Sequence, residues 1–256
     1  MELMVPVPGG RVWADDTGGD APPLVLLHPG IGDSRIWDPV LPGLGGGYRV
    51  IRYDAPGHGR SPRSDGPYSQ LDVLAAVLDH FQLPRACLAG CSMGGTTALE
   101  LALADPARAR ALVLLCPGLT GYQWPDEPGL DAEYEALVRA EDLAGLAEFG
   151  LRAWAAAGAD PAARAQLAAA VPAWLTEDAH ERPGLPVFGS LEDVRAPSVL
   201  MVGDLDRPPM VTACAEAAAR IPGCRLVRVP GADHLLPLRA PELTAQAIRE
   251  RCGGPG

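Results

Sequence analysis

Short apolar runs recur along the chain, and stretches with apolar residues at helical spacing separate most of them. The runs at residues 24–27, 86–89 and 111–115 lack polar alternation, which is typical of strands buried on both faces of a sheet. The predicted strands cover residues 3–7, 11–15, 24–27, 48–53, 86–89, 111–115, 197–203 and 226–229. The helices predicted between them cover about residues 70–81, 96–104, 210–221 and 241–251. This alternation indicates an α/β protein with a doubly wound, mostly parallel sheet of about eight strands.

The pattern changes between residues 119 and 190. This stretch has no convincing strand, carries helical runs at 132–140, 143–157 and 161–175, and holds five of the chain's eight Trp and Phe residues. We therefore expect a helical lid (residues 119–190) inserted into a core domain made of residues 1–118 and 191–256. A lid over a site presents apolar surface to a ligand, so Trp124 and Trp154 are candidate substrate-binding residues. Residues 253–256 are expected to form a disordered tail.

The composition of the chain excludes several classes of function. The net charge is −11, and all 21 basic residues are Arg, so a lysine Schiff-base mechanism is excluded. An acidic chain without a basic cluster binds nucleic acid poorly and is not attracted to anionic membranes. The N-terminus lacks the features of a secretory signal, and no apolar run reaches the length of a membrane span. The six scattered cysteines do not suggest a disulfide framework, so a reduced, cytoplasmic protein is expected.

The most informative segment is Gly-Cys-Ser-Met-Gly-Gly at residues 90–95, which follows a predicted strand and precedes a predicted helix. A serine flanked by glycines at a strand-to-helix turn is the nucleophile-elbow arrangement. Only residues without a β-carbon fit beside so sharp a turn. Ser92 is therefore the candidate nucleophile, and the backbone N–H of Met93 is a candidate oxyanion donor.

Two further candidates follow later strands. Because ligand sites form at the carboxyl ends of parallel strands, Ser92, the pair Asp204 and Asp206, and His234 are expected at one edge of the sheet. His234 is the candidate base and an aspartate its orienting acid. Asp206 is favoured over Asp204 because it lies further into its loop, and Asp233 is given at most a supporting role.

A second oxyanion donor is expected in the small loop after residues 24–27. The candidate is the N–H of Gly30, with its neighbour Ile31 as a candidate substrate-binding residue. His28, in the same loop, is interpreted as a buried imidazole that holds the loop by hydrogen bonds.

With these segments in hand, the chain resembles the α/β-hydrolase superfamily over roughly residues 3–252. The resemblance is carried by Leu-Leu-His-Pro-Gly at 26–30, Asp-Ala-Pro-Gly-His-Gly-Arg-Ser at 54–61, the segment at 90–95, Gly-Asp-Leu-Asp at 203–206 and Pro-Gly-Ala-Asp-His at 230–234. It implies a Ser92–Asp206–His234 triad. In the family a glycine follows the loop histidine, whereas here Pro29 takes that place and Gly30 the donor position. The lid is similar to those of small bacterial esterases and enol-lactonases.

The resemblance implies a serine hydrolase that cleaves small to medium apolar esters or lactones through an acyl-enzyme. A thioesterase, a macrolactone-forming cyclase or a carbon–carbon bond hydrolase on the same triad is the alternative, and a ligand-binding receptor of the same fold is a remote one. No cofactor or metal is implied. The expected partner is a small-molecule ester, lactone or thioester, not nucleic acid or a membrane, and the chain is expected to be a monomer or homodimer.

Overall fold

In a computed structural model, residues 1–175 and 179–253 are described. The strands are β1 (Glu2–Val7), β2 (Gly10–Asp16), β3 (Pro23–Leu27), β4 (Arg49–Tyr53), β5 (Ala86–Cys91), β6 (Ala109–Leu115), β7 (Ser198–Gly203) and β8 (Arg225–Val229). The helices are α1 (Gln70–His80), α2 (Met93–Ala104), α3 (Pro128–Arg139), α4 (Leu143–Trp154), α5 (Pro161–Trp174), α6 (Pro208–Arg220), α7 (Leu236–Arg239) and α8 (Pro241–Cys252). Three short 3-10 helices lie at Ser34–Trp37, Leu41–Leu44 and Val187–Asp193.

All eight strands form one sheet in the order β1-β2-β4-β3-β5-β6-β7-β8. The β1–β2 and β2–β4 pairs are antiparallel, and the remaining pairs are parallel. The sequence-based prediction of a mostly parallel, eight-stranded α/β fold is therefore confirmed.

Two of the parallel strands are buried along their whole length. Every residue of β5 and β7 is buried, as the continuous apolar runs predict. Because β3, β5, β6, β7 and β8 are paired in parallel, the carboxyl ends of β3, β5, β7 and β8 lie at one edge of the sheet, where the loops that follow them carry the candidate chemical groups.

Between β6 and β7 the chain leaves the sheet and forms α3, α4 and α5. We call residues 119–190 the inserted segment. The predicted helix at 143–157 is too long, because α4 ends at Trp154 and the backbone N–H of Ala157 instead donates to Asp233. The predicted starts at residues 132 and 96 are late, since α3 begins at Pro128 and α2 directly after Ser92.

The sequence patterns do not predict the shortest helices. The four-residue helix α7 and the 3-10 turns are too brief to show an apolar period.

All six cysteines are free thiols, in line with the sequence. Within residues 1–175 and 179–253, no helix has both the length and the apolar character needed to cross a bilayer. Of the expected C-terminal tail, residues 254–256 lie outside the described residues.

Candidate active site

Ser92 lies in a strained turn between β5 and α2. Its φ of 50° and ψ of −114° are unusual for a residue with a side chain. A β-carbon on Gly90 would come 2.2 Å from the carbonyl oxygen of Gly94, and one on Gly94 would come 2.4 Å from that of Leu27. The two glycines are therefore required by close backbone contacts, as the elbow pattern predicts.

Asp206 and His234 form a buried, hydrogen-bonded pair. Oδ2 of Asp206 lies 2.7 Å from Nδ1 of His234, and both side chains are shielded from solvent. A carboxylate only accepts, so Nδ1 carries the proton and Nε2 presents its lone pair. Asp204 instead accepts from the N–H of Gly231 over 2.7 Å. Of the two candidate acids, the structure brings Asp206 to His234 and leaves Asp204 in a turn.

The Nε2 atom of His234 has no hydrogen-bond partner in the described structure, although it is buried. The His234 loop is nevertheless held against the elbow. The thiols of Cys91 and Cys116 donate to the backbone carbonyl of His234 over 3.6 and 3.4 Å, and Cys91 directly precedes Ser92. The loop is thus bonded to the end of β5, with an unpaired acceptor nitrogen at its tip.

The same region contains three potential metal-ligating atoms. The ligand atoms of Cys116, Asp206 and His234 lie within 4.8 Å of one another. Burial raises the pKa of the Cys116 thiol well above its ordinary value, so the thiolate that metals bind is disfavoured. A metal would also have to replace the bond between Asp206 and His234. The residues present therefore suit proton transfer better than metal binding.

The loop after β3 approaches the start of α2. A β-carbon on Gly30 would lie 3.6 Å from Sδ of Met93, so the two residues that carry the candidate oxyanion donors are neighbours. The first N–H groups of a helix lack intrahelical partners, which leaves that of Met93 available to an anion.

His28 anchors this loop. Its Nδ1–H donates to the carbonyl of Pro29 over 2.8 Å, while Nε2 accepts from the N–H of Ala55 over 2.9 Å. Burial, followed by the neighbouring His58, lowers the pKa of His28 to about 4, so the imidazole is neutral at neutral pH. The prediction that His28 is a structural residue is confirmed.

The three candidate substrate-binding residues have different surroundings in the structure. Trp154 lies with its ring centroid 4.5 Å from that of His234. Ile31 is buried in the apolar core. Trp124 is 41% exposed and packs edge-on against Tyr122. Trp154 thus contacts a member of the predicted triad.

No pattern in the sequence indicates four contacts that the inserted segment makes with these loops. Nε1 of Trp174 donates to the carbonyl of Gly30 over 3.0 Å, and Oε1 of Gln166 accepts from the N–H of Asp33 over 3.0 Å. Arg207, next to Asp206, pairs with Glu127 and lies over the ring of Trp154. These partners are far apart in sequence, so no local pattern could link them.

A strained serine turn and a buried aspartate–histidine pair, at the carboxyl edge of a mostly parallel sheet, define an α/β enzyme with a hydrolase architecture. The chain belongs to the alpha/beta hydrolase family, whose profile matches residues 24–247.

Comparison with curated proteins gives matches over part of the chain. A pimeloyl-[acyl-carrier protein] methyl ester esterase of Legionella pneumophila is 36% identical over 113 residues, which is 43% of this chain and 45% of that protein. A 2-hydroxymuconate semialdehyde hydrolase of a Pseudomonas species is 39% identical over 131 residues, which is 48% of this chain and 45% of that protein. The chain thus matches less than half the length of these relatives.

Solved structures match over almost the whole chain. A hydrolase from Pseudomonas aeruginosa has a TM-score of 0.82 and 27% identity, with 99% of this chain and 98% of that chain covered. An enol-lactonase from Burkholderia xenovorans has a TM-score of 0.81 and 22% identity, with 98% and 100% covered. The second likeness is one of fold alone.

Proposed function

We propose that this protein is a serine hydrolase that cleaves carboxylic esters or lactones of small to medium apolar substrates through an acyl-enzyme. The observation that carries the proposal is the bond between Asp206 and His234, which leaves Nε2 as a free acceptor in a loop bonded to the residue before Ser92. The family membership and the esterases among the relatives agree with it.

In the proposed mechanism, the Ser92 hydroxyl attacks the substrate carbonyl while His234 accepts its proton at Nε2. A serine hydroxyl is a weak nucleophile at neutral pH and requires such a base. Asp206 holds the ring in the tautomer that exposes Nε2 and stabilises the imidazolium. The bond from Ser92 to Nε2 forms as substrate binds, because catalytic hydrogen bonds often tighten only in the complex.

The tetrahedral intermediate carries its negative charge on the former carbonyl oxygen. The N–H groups of Met93 and Gly30 are the proposed donors to that oxygen, and each donor is worth about 10²–10³ in kcat. Collapse of the intermediate expels the alcohol, which takes its proton from His234. Water activated by His234 then attacks the acyl-enzyme and regenerates Ser92.

The inserted segment is proposed to be the lid. Trp154 covers His234, and Trp174 contacts the carbonyl of Gly30. A cavity of about 880 Å³ lies beside Trp174, but neither Ser92 nor His234 lines it, so its volume does not define the size of the substrate.

A carbon–carbon bond hydrolase is the second candidate. It is favoured by the 39% identity to the 2-hydroxymuconate semialdehyde hydrolase, although that match covers less than half of either chain. The same triad serves either reaction, so the substrate decides between them.

The experiment that tests the proposal is a substrate panel with a Ser92→Ala control. Purified enzyme is offered p-nitrophenyl acetate and butyrate, γ- and δ-lactones, an acyl thioester and a 2-hydroxy-6-oxo-dienoate. Ester or lactone turnover that disappears in Ser92→Ala supports the proposal. Turnover of the dienoate alone supports the second candidate, and ester turnover that survives in Ser92→Ala contradicts the assigned nucleophile.

A further inference from the structure

The residue before His234 is as deeply buried as His234 itself. Asp233 is fully shielded from solvent, and its carboxylate accepts from the N–H of Leu235 and from the N–H of Ala157, each over 3.0 Å. Ala157 belongs to the inserted segment, 76 positions away. A side chain of the histidine loop therefore holds the backbone of the inserted segment directly.

Arg239 completes the link. Its Nε lies 3.1 Å from both carboxylate oxygens of Asp233, which balances the buried negative charge. Its two terminal nitrogens donate hydrogen bonds to the carbonyl of Gly158 and to the carboxylate of Asp160. Arg239 itself is largely buried, with 11% of its side chain exposed. A planar guanidinium suits this task because it can bond several acceptors in fixed directions.

The clamp, defined as Asp233 and Arg239, grips the turn between α4 and α5. That turn covers residues 155–160, and Asp160 also caps α5 by accepting from the N–H groups of Ala162 and Ala163. Because α4 ends at Trp154, one residue before the turn, the position of the turn fixes the position of the Trp154 ring. That ring packs against His234 at 4.5 Å between centroids.

Two contacts in the described structure bear on the orientation of the imidazole of His234. One is the bond from Nδ1 to Asp206, about which the ring can still tilt, and the other is the contact with Trp154. Proton transfer from Ser92 requires Nε2 to lie at hydrogen-bond distance with suitable alignment.

We propose that Asp233 and Arg239 are positioning residues for the proposed base: they fasten the turn at 155–160 to the histidine loop and so hold Trp154 against the ring of His234. This inference rests on the proposed function for its catalytic consequence. Its structural part, the attachment of the turn, does not depend on that function.

The choice of variant follows from charge. Arg239→Gln alone would leave the buried carboxylate of Asp233 without its cation, a large destabilisation that could prevent folding. The double variant Asp233→Asn/Arg239→Gln removes both charges together and preserves the approximate side-chain volumes. Arg152→Gln is the matched control, because it removes an exposed ion pair with Glu133 inside the inserted segment that does not touch the clamp.

The first measurement is kcat and KM for p-nitrophenyl acetate, with active sites counted by titration with a fluorophosphonate. We expect the double variant to lose about 10- to 100-fold in kcat per titrated site with KM changed less than about twofold, because small misplacements of a catalytic group are costly. The control should retain its kcat. A double variant with a lower melting temperature but unchanged kcat per site would show a purely structural clamp and overturn the proposal.

The second measurement is amide hydrogen exchange in the peptide that covers residues 155–160. Exchange there should rise in the double variant and stay at the wild-type level in Arg152→Gln. Unchanged exchange in the double variant would overturn the proposal. If the wild type turns over no ester, the proposed function fails while this exchange experiment still decides whether the clamp exists.

Discussion

Nδ1 of His234 lies 2.7 Å from Oδ2 of Asp206, although the two residues are 28 positions apart in the chain. The loops after β7 and β8 create this contact, because parallel neighbouring strands end at the same edge of the sheet. The other oxygen of Asp206 accepts from the N–H of Arg207 over 2.7 Å, which fixes the carboxylate in its orientation toward the imidazole.

The acid can be tested by a matched pair of substitutions. Asp206→Asn should lower kcat by about 10³–10⁴-fold, because the amide can stabilise the wrong tautomer of His234 and cannot stabilise its positive charge. Asp204→Asn keeps an oxygen for the N–H of Gly231 and should leave kcat unchanged. Steady-state kinetics with p-nitrophenyl butyrate decide, and equal losses in both variants would contradict the assignment.

The elbow is expected to be intolerant of a single added methyl group. Gly94→Ala places a β-carbon 2.4 Å from the backbone carbonyl oxygen of Leu27, a contact that only movement of β3 or α2 relieves. We expect a loss of about 1–3 kcal/mol or more in the free energy of unfolding. Gly129→Ala is the control, since its β-carbon meets nothing within 4 Å. Urea unfolding compares the two, and equal stabilities would count against the backbone packing described.

Trp174 is expected to act on the loop after β3, which carries Gly30, through its indole N–H. Trp174→Phe keeps an aromatic ring but removes the donor to the carbonyl of Gly30. We expect kcat to fall by about 3- to 10-fold, less than the 10²–10³ that follows loss of an oxyanion donor itself. Trp13→Phe, in the antiparallel part of the sheet, should leave kcat per active site unchanged. A Trp174→Phe enzyme with wild-type kcat would show that this hydrogen bond does not contribute to catalysis.

Glu100 gives a prediction about pH and stability. Burial in α2, with a smaller contribution from Glu181, raises the pKa of Glu100 from 4.5 to about 7, and its carboxyl accepts from the N–H of Leu185. Between these pH values the native state keeps a proton that the unfolded chain releases, so this group makes the protein less stable as pH rises.

Glu100→Gln removes that proton equilibrium. The free energy of unfolding is measured for both proteins by urea unfolding at several pH values. The difference, variant minus wild type, should rise by about 2 kcal/mol from pH 4.5 to pH 7. Glu242→Gln, on the exposed side of α8, should parallel the wild type. Parallel curves for Glu100→Gln and the wild type would show that Glu100 does not have a raised pKa.

Much of the framework could be predicted from the sequence because it depends on local patterns. The continuous apolar runs identify the central strands, and Gly-x-Ser-x-Gly places Ser92 in its turn. The loops that follow strands place Asp206 and His234 at one edge. The order of the strands across the sheet depends on long-range pairing and could not be predicted. The alternation of strands and helices along the chain is nevertheless sufficient to predict the fold class.

What could not be predicted depends on contacts without a local signature. The early end of α4 is one case, because Ala155 and Ala156 continue the helical composition and only the bond from Ala157 to Asp233 shows why the helix stops. The partners of Asp233 are another, since they lie in the inserted segment and in α7. Arg207 and Trp174 likewise acquire their contacts through tertiary packing alone.

The central claim is that His234 activates Ser92, and reaction with a fluorophosphonate tests it most directly. Wild-type protein and the His234→Ala variant are incubated with the probe, digested and mapped by mass spectrometry. The account predicts stoichiometric labelling of Ser92 in the wild type and strongly slowed labelling in His234→Ala. Labelling of a different residue, or equal rates of Ser92 labelling in the two proteins, would contradict it.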